Sequence, residues 1–274
     1  MTSLKHLHEV DLKDKLVLLR ADFNVPMRNG IIAEDSRIRK TLPTILHILD
    51  AGAKQVIITT HFGRPKGKVN EKYRVTPIVE CLKMLLEAQE VSVGYADDCL
   101  IKHLPTQRVV LLENTRFYPE EKKNEEKFAK ALAHKADVFV FDAFGTAHRD
   151  HASTTGVAKF IPELCIGLLM EKELRVLSLD NIPKPFKAII GAAKVSDKIP
   201  VLESLLPRVD KLLLGGAIVF TFLKAIGYEV GTSLVEDGEL GRAKKMYEKY
   251  KDKIILPVDV VISEDEEGRE IHTV

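Results

Sequence analysis

The chain has 274 residues, of which 45% are hydrophobic and 30% charged, so it has the composition of a globular protein with one large domain or two ordinary ones. Its formal net charge of +1 gives no support to a nucleic-acid or membrane partner. No apolar run approaches the ~18 residues that a membrane span needs, which excludes the transmembrane class.

The first eight residues lack the apolar core of a secretory signal. Cys81, Cys99 and Cys165 are odd in number and have no metal-like spacing. Cys81 lies in an apolar helical pattern, which favours a buried thiol over a metal ligand. We therefore expect reduced cysteines and a cytoplasmic location.

The first half of the chain alternates short apolar runs with longer helical patterns, which indicates parallel βα units. The predicted strands are 16–19, 56–58, 91–93, 109–112 and 138–141. The predicted helices are a stretch from Ile38 to Leu49 that Gly52 ends, 75–86 with Pro77 in its first turn, and 124–134.

A long helix over 167–179 precedes Pro183 and Pro185, which stop a helix and stiffen the segment that follows. The βα rhythm then restarts, with predicted strands 188–190, 212–214 and 254–256. The predicted helices are 196–206, with Ser196 as N-cap, 218–226 and 239–250.

These patterns predict an α/β fold of two Rossmann-like parallel-sheet domains joined by a hinge helix. We expect an N-terminal domain over 1–165, a hinge helix and linker over 166–183, and a partial domain over 184–274. About three strands follow Pro185, whereas nucleotide-binding domains of this kind usually carry five or six. A sheet stopped there leaves an apolar edge uncovered, so we expect a truncated chain with an incomplete second domain.

Polar and cationic side chains follow the predicted strands of the first half. Open α/β sheets bind ligands beyond the carboxyl ends of their strands, so groups at these positions are expected to share one pocket. Arginine suits this task because its planar fork captures phosphate or carboxylate in a bidentate manner. The groups in question are Asp22 and Asn24, His61 and Arg64, Arg116, and His148 and Arg149.

Some of these residues, and Arg37, also have a different interpretation. Asp22 and Asn24 could form a turn with side chains bonded to their own backbone. Arg37, at the start of a helix where anions are favoured, could be a solvated arginine. The i, i+3 pair His148 and His151 could bind a metal, although no cysteine accompanies it.

Two small-residue loops follow strands of the second half. Gly191 begins a loop in which Lys194 and Lys198 stand four apart, which predicts one helical face for both lysines. Gly215 and Gly216 form a second such turn. Neither loop has the spacing of a P-loop or of the dinucleotide fingerprint, so each alone is a weak signal.

Taken together, these segments resemble phosphoglycerate kinase over essentially the whole chain. The family's motifs appear in order, among them Arg-Ala-Asp-Phe-Asn-Val-Pro, His-Phe-Gly-Arg-Pro, Glu-Asn-Thr-Arg-Phe and Ala-Lys-Val-Ser-Asp-Lys-Ile; the matching segments are 20–26, 35–38, 61–65, 113–117, 142–149, 193–199 and 220–224. The resemblance implies a hinge-bending glycolytic kinase. Its N-terminal domain would bind 3-phosphoglycerate or 1,3-bisphosphoglycerate, and its C-terminal domain the Mg²⁺ complex of ADP or ATP. We expect a monomer with no nucleic-acid or membrane partner.

The resemblance also implies roles for individual residues. Arg37 and Lys194 would be catalytic, neutralising charge on the transferring phosphoryl group. The substrate site would comprise Asp22, Phe23, Asn24, Arg37, His61, Phe62, Gly63, Arg64, Arg116 and Arg149. The nucleotide site would comprise Gly191, Lys194, Lys198, Gly215 and Gly216.

This sequence departs from the family's pattern in several places. Ala192 and Ala217 stand where glycine is frequent, Asp150 where alanine is usual, and Phe62 in place of a common leucine. Asp150 could compete for the Arg149 guanidinium. The family's Trp-Asn-Gly-Pro segment, its ribose-binding glutamate and the magnesium-binding aspartate of its Gly-Gly-Gly-Asp turn would lie downstream of Val274, so we predict no metal ligand within this chain.

Two other hypotheses compete with that of a complete kinase. In the first, the chain is a binding module that captures 3-phosphoglycerate with little or no turnover, because only the first domain's pocket is complete. In the second, the chain is a structural α/β protein whose strand-exit cations are all solvated. The second requires a coincidence at every predicted strand end.

Overall fold

The structure is a computed structural model that describes residues 5–179, 182–263 and 271–273. The chain divides into two compact units, Met1–Ser178 and Leu179–Val274. The division falls inside the segment 166–183, whose hinge role stays a prediction. Asp180 and Asn181 of that segment, half of the eight N-terminal residues considered above and most of the acidic tail after Ser263 lie outside the described residues.

The first unit contains a six-stranded, fully parallel sheet with the order β5-β6-β4-β1-β7-β8. Its strands are β1 (Leu16–Ala21), β4 (Gln55–Thr59), β5 (Val93–Ala96), β6 (Val109–Leu112), β7 (Val138–Asp142) and β8 (Glu163–Ile166). A separate two-stranded hairpin consists of β2 (Met27–Arg28) and β3 (Ile31–Ile32).

Both faces of this sheet are buried because successive strand residues point to opposite sides. Val17 and Leu19 of β1 belong to one hydrophobic cluster, whereas Leu18 belongs to the other. The first cluster is covered by α1 (Ser36–Asp50), α2 (Thr76–Leu86) and α5 (Leu168–Leu177), and the second by α4 (Glu126–Ala133). A short helix, α3 (Pro119–Lys123), precedes α4.

The structure corrects two predicted boundaries in this unit. The helix predicted over 124–134 begins at Glu126, because Asn124 has a left-handed φ of 52° and ends α3 instead. The strand predicted over 91–93 begins at Val93 and continues to Ala96, since its partners in β6 start at Val109. The strand β8 and the hairpin were not predicted.

The second unit is built on three parallel strands in the order β11-β10-β9. They are β9 (Lys187–Gly191), β10 (Lys211–Gly215) and β11 (Ile254–Ile255), and a separate hairpin pairs β12 (Val261–Ser263) with β13 (Ile271–Thr273). The helices α6 (Ile199–Leu205), α7 (Ile218–Ala225) and α8 (Leu240–Lys249) enclose a third cluster centred on Leu212, Ile218 and Phe222.

Two predictions at the start of α6 are wrong. Ser196 does not cap the helix, because its hydroxyl donates to Glu236 Oε1 at 2.8 Å and its backbone N–H donates to Oε2 at 2.9 Å. The helix begins only at Ile199, with Pro200 in its first turn. Lys194 and Lys198 therefore precede the helix and do not share a helical face.

The two parallel sheets with their covering helices confirm the predicted α/β class. Among the residues that the structure describes, no helix combines the length and apolar character that a bilayer crossing requires.

Candidate active site

Four adjacent strands of the first sheet, β6, β4, β1 and β7, end at the same edge. Asp22 and Asn24 follow β1, His61 and Arg64 follow β4, and the other two loops supply Arg116 and Arg149. Since neighbouring parallel strands are roughly 4.8 Å apart, loops that follow them are within reach of one ligand. The sheet order therefore brings the predicted substrate-binding loops together.

The loop after β1 is tied to its neighbours by two polar side chains. Asp22 Oδ1 accepts from the Asn24 backbone N–H at 3.2 Å, which is the local turn considered above. Asn24 Oδ1, however, accepts from the Gly63 N–H at 2.8 Å and so joins the loops after β1 and β4. Asn24 Nδ2 makes no hydrogen bond within the described part of the chain, so it can donate to a ligand.

Arg37 lies in the first turn of α1 and reaches back to the end of β1. Its Nη1 is 2.6 Å from Asp22 Oδ2, and its side chain is 47% exposed whereas that of Asp22 is 15% exposed. Arg37 is thus paired rather than free in solvent. Enough of its guanidinium is open for an incoming anion to contact it as well.

Gly63 shapes the loop after β4. Its φ is +58°, and a β-carbon built on it would lie 2.2 Å from Cδ1 of the Tyr73 ring. The Phe62 ring packs edge-on against the same Tyr73 ring, with centroids 6.3 Å apart. Only glycine fits this close approach of backbone to ring.

Asn114 is a buried residue that follows β6, and its side chain connects the loop after β4 to the loop after β6. Its Oδ1 accepts from the backbone N–H groups of Phe62 at 3.0 Å and Arg116 at 3.1 Å. Its Nδ2 donates to the carbonyls of Phe62 at 2.7 Å and Tyr73 at 2.9 Å. The rings of Phe23 and Phe62 belong to the core, so a contact of either residue with a ligand would involve backbone atoms.

Arg116 is only 6% exposed, and in the described part of the chain it forms no salt bridge, although the charge of Glu121 acts to raise its pKa. Its Nη1 donates to the Gly63 carbonyl at 2.8 Å, and its buried Nε finds no partner among the described residues. Burial, and then the charges of Arg149 and Arg20, lower the pKa of Arg116 to about 10. Arg116 is thus a buried cation near other cations and without a salt bridge among the described residues, so it is suited to bind an anion.

Arg149 and Arg64 complete the cationic set. The Arg149 side chain, half-buried, contacts His148 Nε2 at 3.5 Å, and Arg64 is exposed. Both charges lower the pKa of Arg116, which places them near it. Asp150 does not compete for Arg149, because its Oδ1 accepts from Asn124 Nδ2 at 2.7 Å and from the Thr155 hydroxyl.

His61 is buried beside a residue that the sequence interpretation left out of the site, Arg20. Arg20 Nη2 lies 3.2 Å from His61 Nδ1, and Arg20 Nε donates to Ser153 Oγ at 3.0 Å. Burial, and then Arg20 and Arg116, hold the pKa of His61 far below its ordinary value. A signal for Arg20 was present in the sequence, since a charge inside an otherwise apolar strand is costly to bury without a purpose.

The metal interpretation of His148 and His151 finds no support in the geometry. His151 Nδ1 lies 3.8 Å from the buried Glu121 Oε1. Within the described ranges, no three His, Cys, Asp or Glu side chains are placed to hold a metal ion.

In the second unit, the predicted nucleotide loops also lie at one sheet edge. Gly191 and Gly215 are directly paired across β9 and β10. Gly216 has a φ of +72°, and a β-carbon there would lie 3.0 Å from the Ala192 carbonyl oxygen. Small residues thus allow the backbones of the two loops to pack closely at the end of the sheet.

Two lysines stand on the first of these loops. Lys194 is exposed and Lys198 is half-buried at the N-cap of α6. The loop is held by the Ser196–Glu236 bonds described above, and hydrogen bonds from Ser196 lower the pKa of Glu236. Lys194 is near enough to contribute to that shift, so the loop keeps a cation beside a fixed carboxylate.

Comparison with known proteins agrees with this geometry. The family model described as phosphoglycerate kinase matches residues 7–274. Curated phosphoglycerate kinases from Pelotomaculum thermopropionicum and Trichodesmium erythraeum are 48% and 50% identical over 268 and 270 residues, which is 94% of this chain and 68% and 67% of those proteins.

Solved structures give the same result. Phosphoglycerate kinase from Coxiella burnetii is 39% identical with a TM-score of 0.83, over 99% of this chain and 71% of that one. The enzyme from Pyrococcus horikoshii is 30% identical with a TM-score of 0.72, over 98% and 70%. This chain therefore belongs to the phosphoglycerate kinase family.

Proposed function

We propose that the protein catalyses the reversible transfer of a phosphoryl group between 1,3-bisphosphoglycerate and ADP, which yields 3-phosphoglycerate and ATP in glycolysis. Its membership of the phosphoglycerate kinase family supports this activity. The observation that carries it is the set of cations that follow three strands of one sheet, Arg64 after β4, Arg116 after β6 and Arg149 after β7, of which buried Arg116 is the clearest member.

The first unit would bind the glycerate substrate. Arg64, Arg116 and Arg149 repel one another unless an anion joins them, and each charge-assisted hydrogen bond to a phosphate contributes about 1.5–3 kcal/mol when desolvated. Asp22 and the Nδ2 group of Asn24 would supply an acceptor and a donor for the substrate's hydroxyl and carboxyl end. His61, Gly63 and the backbones of Phe23 and Phe62 would complete the site.

The reaction requires neutralisation of the negative charge on the transferring phosphoryl group rather than acid–base catalysis. A phosphate oxygen of ADP attacks phosphorus, and the bond from phosphorus to the acyl oxygen breaks to release a carboxylate. Neither oxygen needs to lose or gain a proton at neutral pH, so the protein has no need of a general base. Arg37 and Lys194 are the residues that we assign to the charge on the transferring group.

The second unit would bind the nucleotide. The loops at Gly191, Gly215 and Gly216 have no bulky side chains at these positions, which would leave room for phosphates, and Lys198 would offset the phosphate charge. The nucleotide would enter as its Mg²⁺ complex, in which the metal offsets phosphate charge. Within the described ranges, no three His, Cys, Asp or Glu side chains are grouped at these loops, so the phosphates of the nucleotide and water would supply most of the Mg²⁺ ligands.

A cytoplasmic location and a monomeric state stay predictions. The three cysteines are buried and unpaired, which agrees with a reducing compartment.

Isothermal titration calorimetry with 3-phosphoglycerate tests the substrate site. We expect binding to the wild-type chain and a loss of about tenfold or more in affinity in Arg116→Met, because a desolvated charge-assisted bond disappears. Arg28→Met is the matched control, since Arg28 is an exposed arginine of the same unit on the hairpin strand β2. Equal affinity of both variants would overturn the site assignment.

A coupled assay that follows ADP formation from ATP and 3-phosphoglycerate separates the kinase from the binding module. Turnover that Lys194→Met abolishes without changing 3-phosphoglycerate affinity is the result expected of the kinase. Binding without turnover in the wild-type chain would favour the module instead, and absence of both would refute the two hypotheses together.

A further inference from the structure

Arg20 is a cation that lies almost wholly inside the first unit. It stands on the central strand β1 and is 1% exposed. Its Nη1 donates to the Ala21 carbonyl, its Nε to Ser153 Oγ at 3.0 Å, and its Nη2 lies 3.2 Å from His61 Nδ1. All three guanidinium nitrogens of Arg20 thus contact atoms of the protein.

The contact with His61 determines where the imidazole proton is. A guanidinium remains charged at all ordinary pH values and has no acceptor atom. The 3.2 Å contact is therefore a hydrogen bond only when Nδ1 of His61 carries its lone pair. The single proton of the neutral ring must then sit on Nε2.

His61 stays neutral in this setting. Burial lowers its pKa most, followed by the charges of Arg20, Arg116 and Arg149. Among the described residues, none forms a hydrogen bond with its Nε2. The ring consequently has one N–H donor that the described residues leave without an acceptor, close to the cationic loops.

A chain of hydrogen bonds keeps the Arg20 guanidinium in place. Ser153 Oγ, which accepts from Arg20, donates to Glu121 Oε1 at 2.6 Å, and the Ser153 N–H donates to Oε2 at 3.0 Å. Glu121 is fully buried, so its carboxylate offsets the buried cation through one hydroxyl. The Ser153 hydroxyl accepts from Arg20 and donates to Glu121, so each hydrogen bond from Arg20 to Glu121 has a defined donor and acceptor.

We propose that Arg20 is a positioning residue that locks His61 in the Nε2–H tautomer, so that His61 gives a neutral donor to the oxyanion of the bound substrate. The proposal rests on the proposed function of the first unit as the 3-phosphoglycerate site. Arg20 acts through His61 and makes no contact with the substrate itself. The Ser153–Glu121 pair holds Arg20 in the position that this requires.

The test is a long-range proton–nitrogen NMR correlation on the 274-residue chain with ¹⁵N-labelled histidine. The His61 signals are assigned by their loss in His61→Asn. In the wild-type chain we expect a protonated Nε2 and an unprotonated Nδ1, with and without 3-phosphoglycerate. A proton on Nδ1 would overturn the proposal at once, whether or not the ligand binds.

The second arm uses the double variant Arg20→Met/Glu121→Gln, which removes both buried charges and so avoids an uncompensated carboxylate. We expect its His61 to exchange between tautomers and its affinity for 3-phosphoglycerate to fall by about tenfold. Arg28→Met is the control, because Arg28 is an exposed arginine of the same unit, and its removal leaves the Arg20–Ser153–Glu121 contacts and the His61 tautomer in place.

Each other outcome has a separate meaning. Weakened binding with an unchanged tautomer would show that Arg20 acts in some other manner, and a changed tautomer with full affinity would show that the tautomer is irrelevant to binding. Either result overturns the proposal. If the wild-type chain fails to bind 3-phosphoglycerate, the proposed function is wrong, and so is the role of His61 in binding this ligand. The spectrum of the free chain still shows which tautomer His61 adopts.

Discussion

Gly63 is a residue whose lack of a side chain has two measurable consequences. Its positive φ disfavours any other residue, and the nearby Tyr73 ring leaves no space for a β-carbon. Gly30 isolates the first effect, since its φ is +78° and nothing lies within 4 Å of its built β-carbon. We expect Gly30→Ala to cost about 1 kcal/mol of unfolding free energy and Gly63→Ala clearly more.

Denaturant unfolding of both variants, with 3-phosphoglycerate titrations alongside, measures this difference. Gly63→Ala should also weaken ligand binding, because Gly63 contacts both Asn24 and Arg116. Similar losses of stability in the two variants would contradict the steric argument.

His61 makes the stability of the first unit sensitive to acid. Its pKa is lowered in the folded state, first by burial and then by Arg20, so on acidification the unfolded chain takes up this proton before the folded chain does. Stability is therefore lost as pH falls below about 6.5, by at most about 1.4 kcal/mol per pH unit for this one group. The variant His61→Gln should lose less stability over the same range.

Urea unfolding at a series of pH values, followed by amide signals of the first unit, gives the comparison. The difference between wild type and variant cancels the other titrating groups, including Asp142, whose pKa burial raises. Parallel curves for the two proteins would show that folding does not lower the pKa of His61.

At the scale of elements, Asn114 connects the loops after β4 and β6. Asn114→Ala leaves four backbone groups without these partners, three of them buried, and each unsatisfied buried group costs about 1–3 kcal/mol. We expect a loss of at least about 3 kcal/mol in denaturant unfolding. The control Asn70→Ala removes one exposed bond to the Lys72 N–H and should cost about 1 kcal/mol or less. A loss in Asn114→Ala no larger than in the control would show that the loops hold together without it.

The elements show what the sequence could predict. The core strands and helices followed from the apolar pattern, because buried β1 and β4 contain the apolar runs 16–19 and 56–58 and α1 has one apolar face. The start of α6 did not follow, since Ser196 is a good N-cap by type and only the distant Glu236 diverts it. The hairpin's Asn29-Gly30 turn, with φ of 52° and 78°, was readable from the sequence and was overlooked.

The candidate site divides in the same way. Cations that follow strands were predictable, because their positions depend only on where a strand ends. Residues that act through contacts across the sheet were not, and Asn114 and the Arg20–Ser153–Glu121 chain are the examples. Ser153 lies 133 positions from Arg20, a distance that no local pattern can bridge.

At the scale of the whole molecule, the two units should respond to different ligands. At a concentration 100 times its dissociation constant, 3-phosphoglycerate stabilises the state that binds it by about 2.7 kcal/mol, which slows exchange through local opening about 100-fold. Hydrogen-exchange mass spectrometry should show the largest protection in the loops after β1, β4, β6 and β7. Mg²⁺–ADP should instead protect residues 191–198 and 215–217 most. A reversal of these two patterns would refute the assignment of the ligands to the units.

The strand order of the first sheet also affects how this protein is made. β1 is the earliest strand in the chain, yet it pairs with β4 on one side and with β7 on the other. Roughly 80 residues separate Thr59 from Val138, and a ribosome adds only about 5–20 residues per second. One edge of the central strand therefore stays unpaired for several seconds of synthesis. During that interval the nascent polypeptide exposes an apolar hydrogen-bonding edge, which makes it a natural client for chaperones that shield emerging chains.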